Sequence, residues 1–585
     1  MLVVSAKPRL ESGPVEVRAP TRLSSLLFQI KAGVFRIGRT GANLANGPRR
    51  LSLGQAGKFP HLIARSRTPL WSDSRAAEQR MQLGKVENLR IAARALDRTV
   101  LRTGDVFSFW KQLGRPARVR GFMPGRMLQQ GCVIPATGGG LCQLSNALYD
   151  VALKARCDIV ERHAHSRIVP GSAAARGQDA TVAWNYVDLR FQSSQPLMLR
   201  VELSADALDV SVFGTKNTEA RRDFEETADR WQDAEETCGT CNEVSCFRHE
   251  REKTVSRGRT AYLVNEAWPE FAAYVARERQ AQDTLCIPID GARFGVSRYG
   301  WRTDGFAAVA TASVIVLQHS VAVRRMGAQG AARRLAELQT AERLAHRFGR
   351  RLKPDMTEIC VAQSLLPYLW RDGHLGGRRF HVMMTALPMS EIQRRLDAQA
   401  MRHPDSATLT DFRASAELVK LEADALAAAE TIVTPHAEIA HLFGARACRL
   451  AWQRSSRQAP DASADALRRI AFPGPTVARK GCYEMREAAR TLDLEVVPLG
   501  SELEGTNFWA GVRLARVDKS DWLNGVRLVV QPAIVEQAPR RLLEAIAAGV
   551  PVIATAACGL DPQPGLTIVP AGDRELTTAI ARVLD

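Results

Sequence analysis

Val529-Val530-Gln531-Pro532-Ala533-Ile534-Val535-Glu536-Gln537-Ala538-Pro539-Arg540-Arg541-Leu542-Leu543-Glu544 reads as a strand, a loop and the start of a helix. The apolar run ends near Gln531 and Glu536 falls in the loop. Pro539 suits a first helical turn, where its missing N–H costs nothing. Glu544 then comes from the helix, a second element of the same site. In open parallel sheets ligands sit outside the carboxyl ends of the strands. Carboxylates placed there accept hydrogen bonds from sugar hydroxyls. A helix N-terminus beside them favours a diphosphate.

The pattern continues on both sides. Arg469 to Phe472 is a short apolar run leading into Pro473-Gly474-Pro475 and Ala478-Arg479-Lys480-Gly481. A helix over Cys482 to Leu492, strands over Leu494 to Val497, Val526 to Val530 and Val550 to Ala554, and helices over Arg540 to Ala548 and Thr577 to Leu584 follow. Upstream, Ala261 to Val264, Leu285 to Ile289, Ala308 to Leu317, His381 to Met384 and Thr431 to Thr434 are short apolar runs. Helical stretches such as Ala331 to Phe348 and Ser415 to Ala429 separate them. Strands alternating with helices predict parallel sheets with crossovers.

These residues resemble the retaining, group 1 glycosyltransferases of the GT-B fold. Their Glu-x7-Glu pattern stands here as Glu536 and Glu544, and AIAAGVPVIATAACGL at 545–560 is similar to the strand after their last substrate helix. The resemblance implies that Glu536 reaches the donor sugar, that Glu544 reaches the nucleotide ribose and that Lys480 neutralises the donor diphosphate. It is close over 450–585 and looser over 255–450. It implies two Rossmann-like domains, 256–450 on the acceptor side and 451–585 for the nucleotide sugar. The implied reaction is hexosyl transfer from a nucleotide sugar to a cell-envelope or polysaccharide acceptor, glycan or lipid-linked. One position departs: the family carries arginine after the glycine at 474, and Pro475 stands here without charge or N–H. Arg479 is a candidate replacement. Asp290-Gly291 is a weak acceptor-loop candidate, and His319 a weaker catalytic one.

The N-terminal half centres on Gly138-Gly139-Gly140-Leu141-Cys142-Gln143-Leu144-Ser145. Glycines let the backbone take positive φ or approach another group closely. Leu141, Leu144, Leu148 and Val151 recur at helical spacing, so Cys142 falls in a first helical turn, where a thiol is favoured as thiolate. Further on, Glu161, His163 and His165 share one face if Ile159 to His165 is a strand. A thiol, two imidazoles and a carboxylate suit a nucleophile or a metal site. They equally suit a small buried cysteine and hydrogen-bonded histidines. Leu208, Val210 and Val212 alternate as a strand, as do Val182, Trp184 and Tyr186.

GGGLCQLSNALYD, ERHAHS and DATVAWNYVDLRF, with GDVFSF at 104–109 and Gly121-Phe122 ahead of them, resemble the VanW family over about 75–215. The resemblance implies a site at Cys142, His163 and His165 and an association with glycopeptide resistance and the cell envelope. It implies no particular reaction. The expected fold class is thus α/β multidomain: a mixed α+β VanW-like domain at 61–215, then the two Rossmann-like domains.

Residues 1–60 form a basic N-terminal segment, and 216–255 a charged linker. Within the linker, Cys238, Cys241, Cys246 and His249 offer four ligands, enough for zinc or an iron–sulfur cluster. The net charge of +18 over 585 residues invites a nucleic-acid reading, but no aromatic-basic platform accompanies it, and nucleic acid is not an expected partner. Eleven cysteines in so long a chain are not a disulfide framework. No apolar run is long enough to span a bilayer, and no secretory leader pattern stands at the start. The expected location is cytoplasmic. Leu23 to Ile37 suits a peripheral contact with the inner membrane face as well as a domain-edge helix. Two rival functions remain open: a non-catalytic glycan- or nucleotide-binding scaffold, favoured by Pro475, and a cysteine-dependent enzyme centred on Cys142.

Overall fold

The computed structural model describes residues 22–71, 76–129, 132–164, 179–217, 258–324, 326–327, 330–454, 468–517 and 521–584. The chain divides into two compact units. One is Met1–Gly258 with Lys353–Thr357 and Leu375–Arg378; the other is Arg259–Leu352, Glu358–His374 and Arg379–Asp585.

In the first unit a helix, Arg22–Asn46, precedes a four-stranded antiparallel sheet in the order His61–Pro69, Ala207–Gly214, Leu197–Leu203, Val100–Leu101. Helices Ala76–Leu96 and Cys142–Lys154 pack on it, burying Val86, Leu89, Ala92, Leu144, Leu148 and Val151 against Val201, Leu208, Val210 and Val212. The glycine run has a packing reason. Gly138 and Gly140 take φ of +80° and +91°. A Cβ on Gly139 would run into the backbone of Gly125. Asn88 Nδ2 donates to Gly139 O at 2.9 Å and to Met123 O at 2.9 Å, fastening this contact from the helix Ala76–Leu96.

Two local expectations differ. Val182 to Tyr186 is a tight turn rather than a strand: Ala183 bridges Val187, and Asn185 between them has φ +57°. The strand toward the histidines, Asp158–Glu161, ends before His163, so Glu161 and His163 are not on one strand face.

The second unit holds two wholly parallel sheets. The seven-stranded one runs Ala308–Thr311, Thr284–Ile287, Thr260–Leu263, Glu358–Ala362, Arg379–Met383, Thr431–Thr434, Ala447–Arg449 in space. The six-stranded one runs Arg513–Leu514, Glu495–Pro498, Arg469–Phe472, Leu528–Gln531, Val552–Thr555, Leu566–Val569. Each begins in its middle, works outward to one edge and then crosses to the other, the doubly wound Rossmann order. The apolar run from Ala308 splits: only Ala308–Thr311 is strand, and Ser313–Val323 is helix.

Alternation inside the last sheet explains its two helical layers. Ala471, Val497, Val529, Val552 and Ala554 pack with Leu542, Leu543 and Ala545 of the helix Arg540–Ala547. Ile470, Phe472, Val496, Leu528, Val530 and Ile553 pack with residues of the helices Cys482–Thr491 and Asp573–Leu584. A sheet buried on both faces needs apolar residues at every position, so its strands read as unbroken apolar runs. The α/β expectation of two Rossmann-like domains after an antiparallel α+β region is what the fold shows.

Candidate active site

The last sheet and its loops place the predicted donor residues. A short turn, Ala478–Lys480, is closed by Gly481 at φ +80°, where a Cβ would strike the Pro532 carbonyl. Arg479 O accepts from Ile534 N at 3.0 Å and Val535 N at 3.2 Å, so the turn and the loop carrying Glu536 are fastened together. Lys480 Nζ then donates to Glu536 Oε2 at 2.7 Å. Gln531 Nε2 donates to the same oxygen, and Oε1 accepts from Gln537 N at 2.8 Å and Ala538 N at 2.9 Å. Glu536 is buried. Burial works against its charge, yet Lys480 and the two backbone donors outweigh it and hold the carboxyl below its ordinary range.

Glu544 sits on the helix Arg540–Ala547 and accepts from Trp522 Nε1 at 3.2 Å. Arg541 beside it donates to Pro473 O, tying the helix to the loop that carries Pro475. That loop is tightly built: a Cβ on Gly500 would meet the backbone of Pro475, and Thr476 bridges Glu502. Arg479 is buried against the Phe412 ring, 4.9 Å from its centroid.

A cavity of about 400 Å³ lies at the carboxyl ends of the seven-stranded sheet, with Arg479 and Gln537 of the last domain in its wall. The switch point of that sheet lies between Thr260–Leu263 and Glu358–Ala362, and there Asn265 Nδ2 donates to Ser364 Oγ at 3.1 Å. His319 lines the cavity and shares a 2.8 Å hydrogen bond with Thr340 Oγ1; burial, with the charge of Arg298, keeps its pKa low. Asp290 caps the short helix Gly291–Phe294 and is not part of the cavity wall.

Bonds that join the two Rossmann domains among the described residues include the following. Arg540 pairs with Glu270 at 2.6 Å, and Gln399 Nε2 donates to Glu484 at 2.6 Å. Glu504 gathers Ser406, Thr408 and Ala478 N. His436 Nε2 lies 3.2 Å from Glu536 O and 3.3 Å from Ala557 O. Sequence reasoning missed all of these, and also Arg334 and Phe412, because each partner lies far away along the chain and carries no motif.

In the first unit Cys142 opens the helix Cys142–Lys154 as expected, half-buried, its Sγ 3.9 Å from Val182 O. His163 lies 3.3 Å from Glu161 Oε1. Burial opposes the charge on Glu161, but bonds from His163 and Arg39 and the charges of Arg39 and Arg190 hold its carboxyl low. No hydrogen bond joins Cys142 to His163 among the described residues. A cavity of about 220 Å³ in this unit is walled by Trp110, Trp184 and Asp188 and includes neither. His165 and the linker quartet Cys238, Cys241, Cys246 and His249 lie outside the described residues. Among the described residues no cluster of His, Cys, Asp and Glu could hold a metal ion.

Two successive doubly wound domains joined across a cleft are the GT-B architecture. Residues 84–213 match the family described as VanW like protein, and residues 464–585 match glycosyl transferases group 1. The chain therefore carries a VanW domain and a group 1 glycosyltransferase domain. The uncharacterized protein YoaR of Bacillus subtilis is 31% identical over 130 residues, 22% of this chain and 42% of that protein. The vancomycin B-type resistance protein VanW of Enterococcus faecalis is 27% identical over 169 residues, 28% of this chain and 61% of that one. The chain thus spans less than two thirds of either relative. Similar solved structures include Anabaena HepE in complex with UDP and glucose, at 12% identity and a TM-score of 0.32, covering 56% of this chain and 90% of that one. Sucrose-phosphate synthase from Thermosynechococcus elongatus is similar at 15% identity and a TM-score of 0.36, again over 56% and 90%.

Proposed function

We propose that the second unit transfers a sugar from a nucleotide sugar to a carbohydrate or lipid-linked acceptor of the cell envelope. The observation that carries this reading is the Lys480–Glu536 pair, its carboxylate buried, at the carboxyl end of Leu528–Gln531, inside a group 1 glycosyltransferase domain. Lys480 supplies positive charge for the departing diphosphate, and Glu536 and Glu544 supply acceptors for sugar and ribose hydroxyls. The anomeric carbon–oxygen bond of the donor breaks as the acceptor oxygen bonds to that carbon, the acceptor's hydroxyl proton passing to the departing diphosphate, whose remaining charge the cations stabilise. Cations and a helix end can do that electrostatic work, so the transfer need not use a bound metal.

The test is calorimetric titration of the full chain with a panel of uridine, guanosine and adenosine diphosphate sugars, followed by product analysis. One donor should saturate, and Lys480→Ala and Glu544→Ala should each weaken it at least tenfold. Unchanged binding in both variants removes the donor site. Pro475, where the family has a cation, favours a second reading: a nucleotide-sugar-binding scaffold without turnover. Saturable binding with neither transfer nor hydrolysis across acceptors would select it.

Three further proposals complete the picture. The protein works in the cytoplasm, at the inner membrane face. The helix Arg22–Asn46 supplies the contact: it exposes Leu27, Ile30, Val34, Ile37 and Leu44 and contains no acidic residue. Cosedimentation with anionic vesicles, lost on Ile37→Glu, tests it. The quartet Cys238, Cys241, Cys246 and His249 binds zinc or an iron–sulfur cluster as a staple for the linker. Metal analysis of the purified protein decides this, and a folded, metal-free protein removes it.

A further inference from the structure

Arg334 and Arg479 face the same phenyl ring. The guanidinium of Arg334 lies 4.6 Å from the Phe412 centroid and that of Arg479 lies 4.9 Å from it. They come from different domains: Arg334 from the helix Ala331–Gly349, and Arg479 from the turn next to Lys480. Both line the 400 Å³ cavity, together with Phe412. The Nε of Arg334 is buried with no hydrogen-bond partner among the described residues. An orphaned guanidinium donor is costly to bury, so its persistence asks for a ligand.

The charges around the cavity sharpen the point. Arg298 pairs with Glu266, and Arg333 Nε lies 3.5 Å from Glu337. Glu422 is buried, takes Gln363 Nε2 at 3.0 Å, and burial raises its pKa toward the neutral form. Glu337 is the strongest acidic influence on Arg334, and Glu536 and Asp411 are the strongest on Arg479. Burial lowers the pKa of both arginines, against the neighbouring carboxylates that raise it. Contact with the ring helps hold each guanidinium in place without consuming its N–H groups.

We propose that Arg334 and Arg479, braced on Phe412, form a two-domain clamp for a phosphoryl group in this cavity, supplying the cationic charge absent at Pro475. The phosphoryl group belongs either to the donor diphosphate or to a phosphorylated acceptor. Which of these fills the clamp rests on the donor reading above; the existence of the clamp does not. Glu536 contributes to the electrostatics of Arg479, so the clamp adjoins the Lys480–Glu536 pair and either source can reach it.

The experiment is calorimetric titration of the full chain with inorganic pyrophosphate and, separately, inorganic phosphate. It compares the wild type with Arg334→Gln, Arg479→Gln and Lys480→Ala. Arg334→Gln and Arg479→Gln should each weaken at least one anion tenfold or more, with Arg334→Lys between them and the wild type. If the donor diphosphate fills the clamp, Lys480→Ala weakens pyrophosphate comparably. If an acceptor phosphate fills it, phosphate binds Lys480→Ala as it binds the wild type. Failure of the donor reading alone would remove only the Lys480 dependence and leave binding that depends on Arg334. Should an arginine variant fail to fold, Phe412→Leu keeps both charges, removes the brace and should weaken the same anion. Anion binding within twofold of wild type in Arg334→Gln, or in Phe412→Leu where that serves as the substitute, or no binding of either anion by the wild type, overturns the clamp.

Discussion

Lys480 Nζ donates to Glu536 Oε2 at 2.7 Å across the gap between two loops of the last sheet. The lysine expected to hold a diphosphate is thus already held by the carboxylate expected to hold the sugar. A donor must draw Lys480 from Glu536, and the freed carboxylate can then accept sugar hydroxyls. Glu536→Gln keeps the shape and removes the charge that competes for Lys480. The expected outcome is a nucleoside diphosphate bound at least as tightly as by the wild type, while the extra affinity contributed by the sugar falls about tenfold, the scale of a charged hydrogen bond. Paired titrations with the donor and its sugar-free diphosphate check this. Equal losses for both ligands would place Glu536 away from the sugar.

The same pair sets an acid limit on stability. The folded carboxyl of Glu536 titrates below its ordinary range, so its stabilising contribution is present above about pH 4.3, the unfolded value. It is lost as pH falls through the folded value. At pH 7, Glu536→Gln and Lys480→Met should each cost about 3–5 kcal/mol, because each leaves one buried partner behind. Below pH 4 the Glu536→Gln penalty should shrink. Thermal midpoints of wild type and variant across pH 3–7 measure it, and a gap that stays constant across that range contradicts the assignment.

The sheets were legible because strands buried on both faces are continuous apolar runs, as in Val552–Thr555 and Leu528–Gln531. Glu536 was legible because its loop follows such a strand, whereas Lys480 was legible only through the resemblance to group 1 glycosyltransferases. Trp184 and Tyr186 misled because alternation also arises in a turn: Trp184 meets Trp110 edge-on at 5.4 Å, and Phe35 stacks on Tyr186 at 6.3 Å. Those contacts come from other elements, and no local pattern reports them. The approach of Arg334 and Arg479 to Phe412 and the bond from His436 to Glu536, a hundred residues away, were invisible for the same reason. The glycine run at 138–140 was legible as a special backbone, but its cause, the approach of Gly125, needed the fold.

Burial separates the cysteines into two classes. It pushes the thiol of Cys157 up to about 11 and those of Cys286, Cys360 and Cys558 up to about 12. Cys482 is raised further, again by burial. Cys142 and Cys448 are half-buried. Thiolate is the reactive form, so substoichiometric alkylation at pH 7.5 should mark Cys142 and Cys448 well before those five. Peptide mapping by mass spectrometry reads the order. Early labelling of Cys157 or Cys360 would mean that these cores open under native conditions. If Cys142 belongs to a working thiol site, His163→Ala should slow its labelling; an unchanged rate removes His163 as its base.

His436 is fully buried at the seam of the two Rossmann domains and caps the helix Ala437–Phe443. Its Nδ1 accepts from Ile439 N at 3.4 Å, so the proton sits on Nε2, which faces the carbonyls of Glu536 and Ala557. Burial lowers its pKa, and a second proton on Nδ1 would point at an N–H. The folded protein therefore binds fewer protons here than the unfolded chain. Stability from this group is complete above about pH 6.5, the unfolded value, and is lost at about 1.4 kcal/mol per pH unit below it until the folded value is reached. Comparing His436→Gln with the wild type from pH 7.5 to 5 isolates that slope, which lies well above the window of Glu536. Gly559 supplies a second handle: it holds φ +65°, and a Cβ there would enter the His436 ring. Gly559→Ala should lower the thermal midpoint at every pH, and His436→Ala should relieve part of that loss by vacating the space. A wild-type midpoint that falls no faster than that of His436→Gln between pH 7 and 5, or a Gly559→Ala protein as stable as the wild type, would show that the imidazole does not hold the seam.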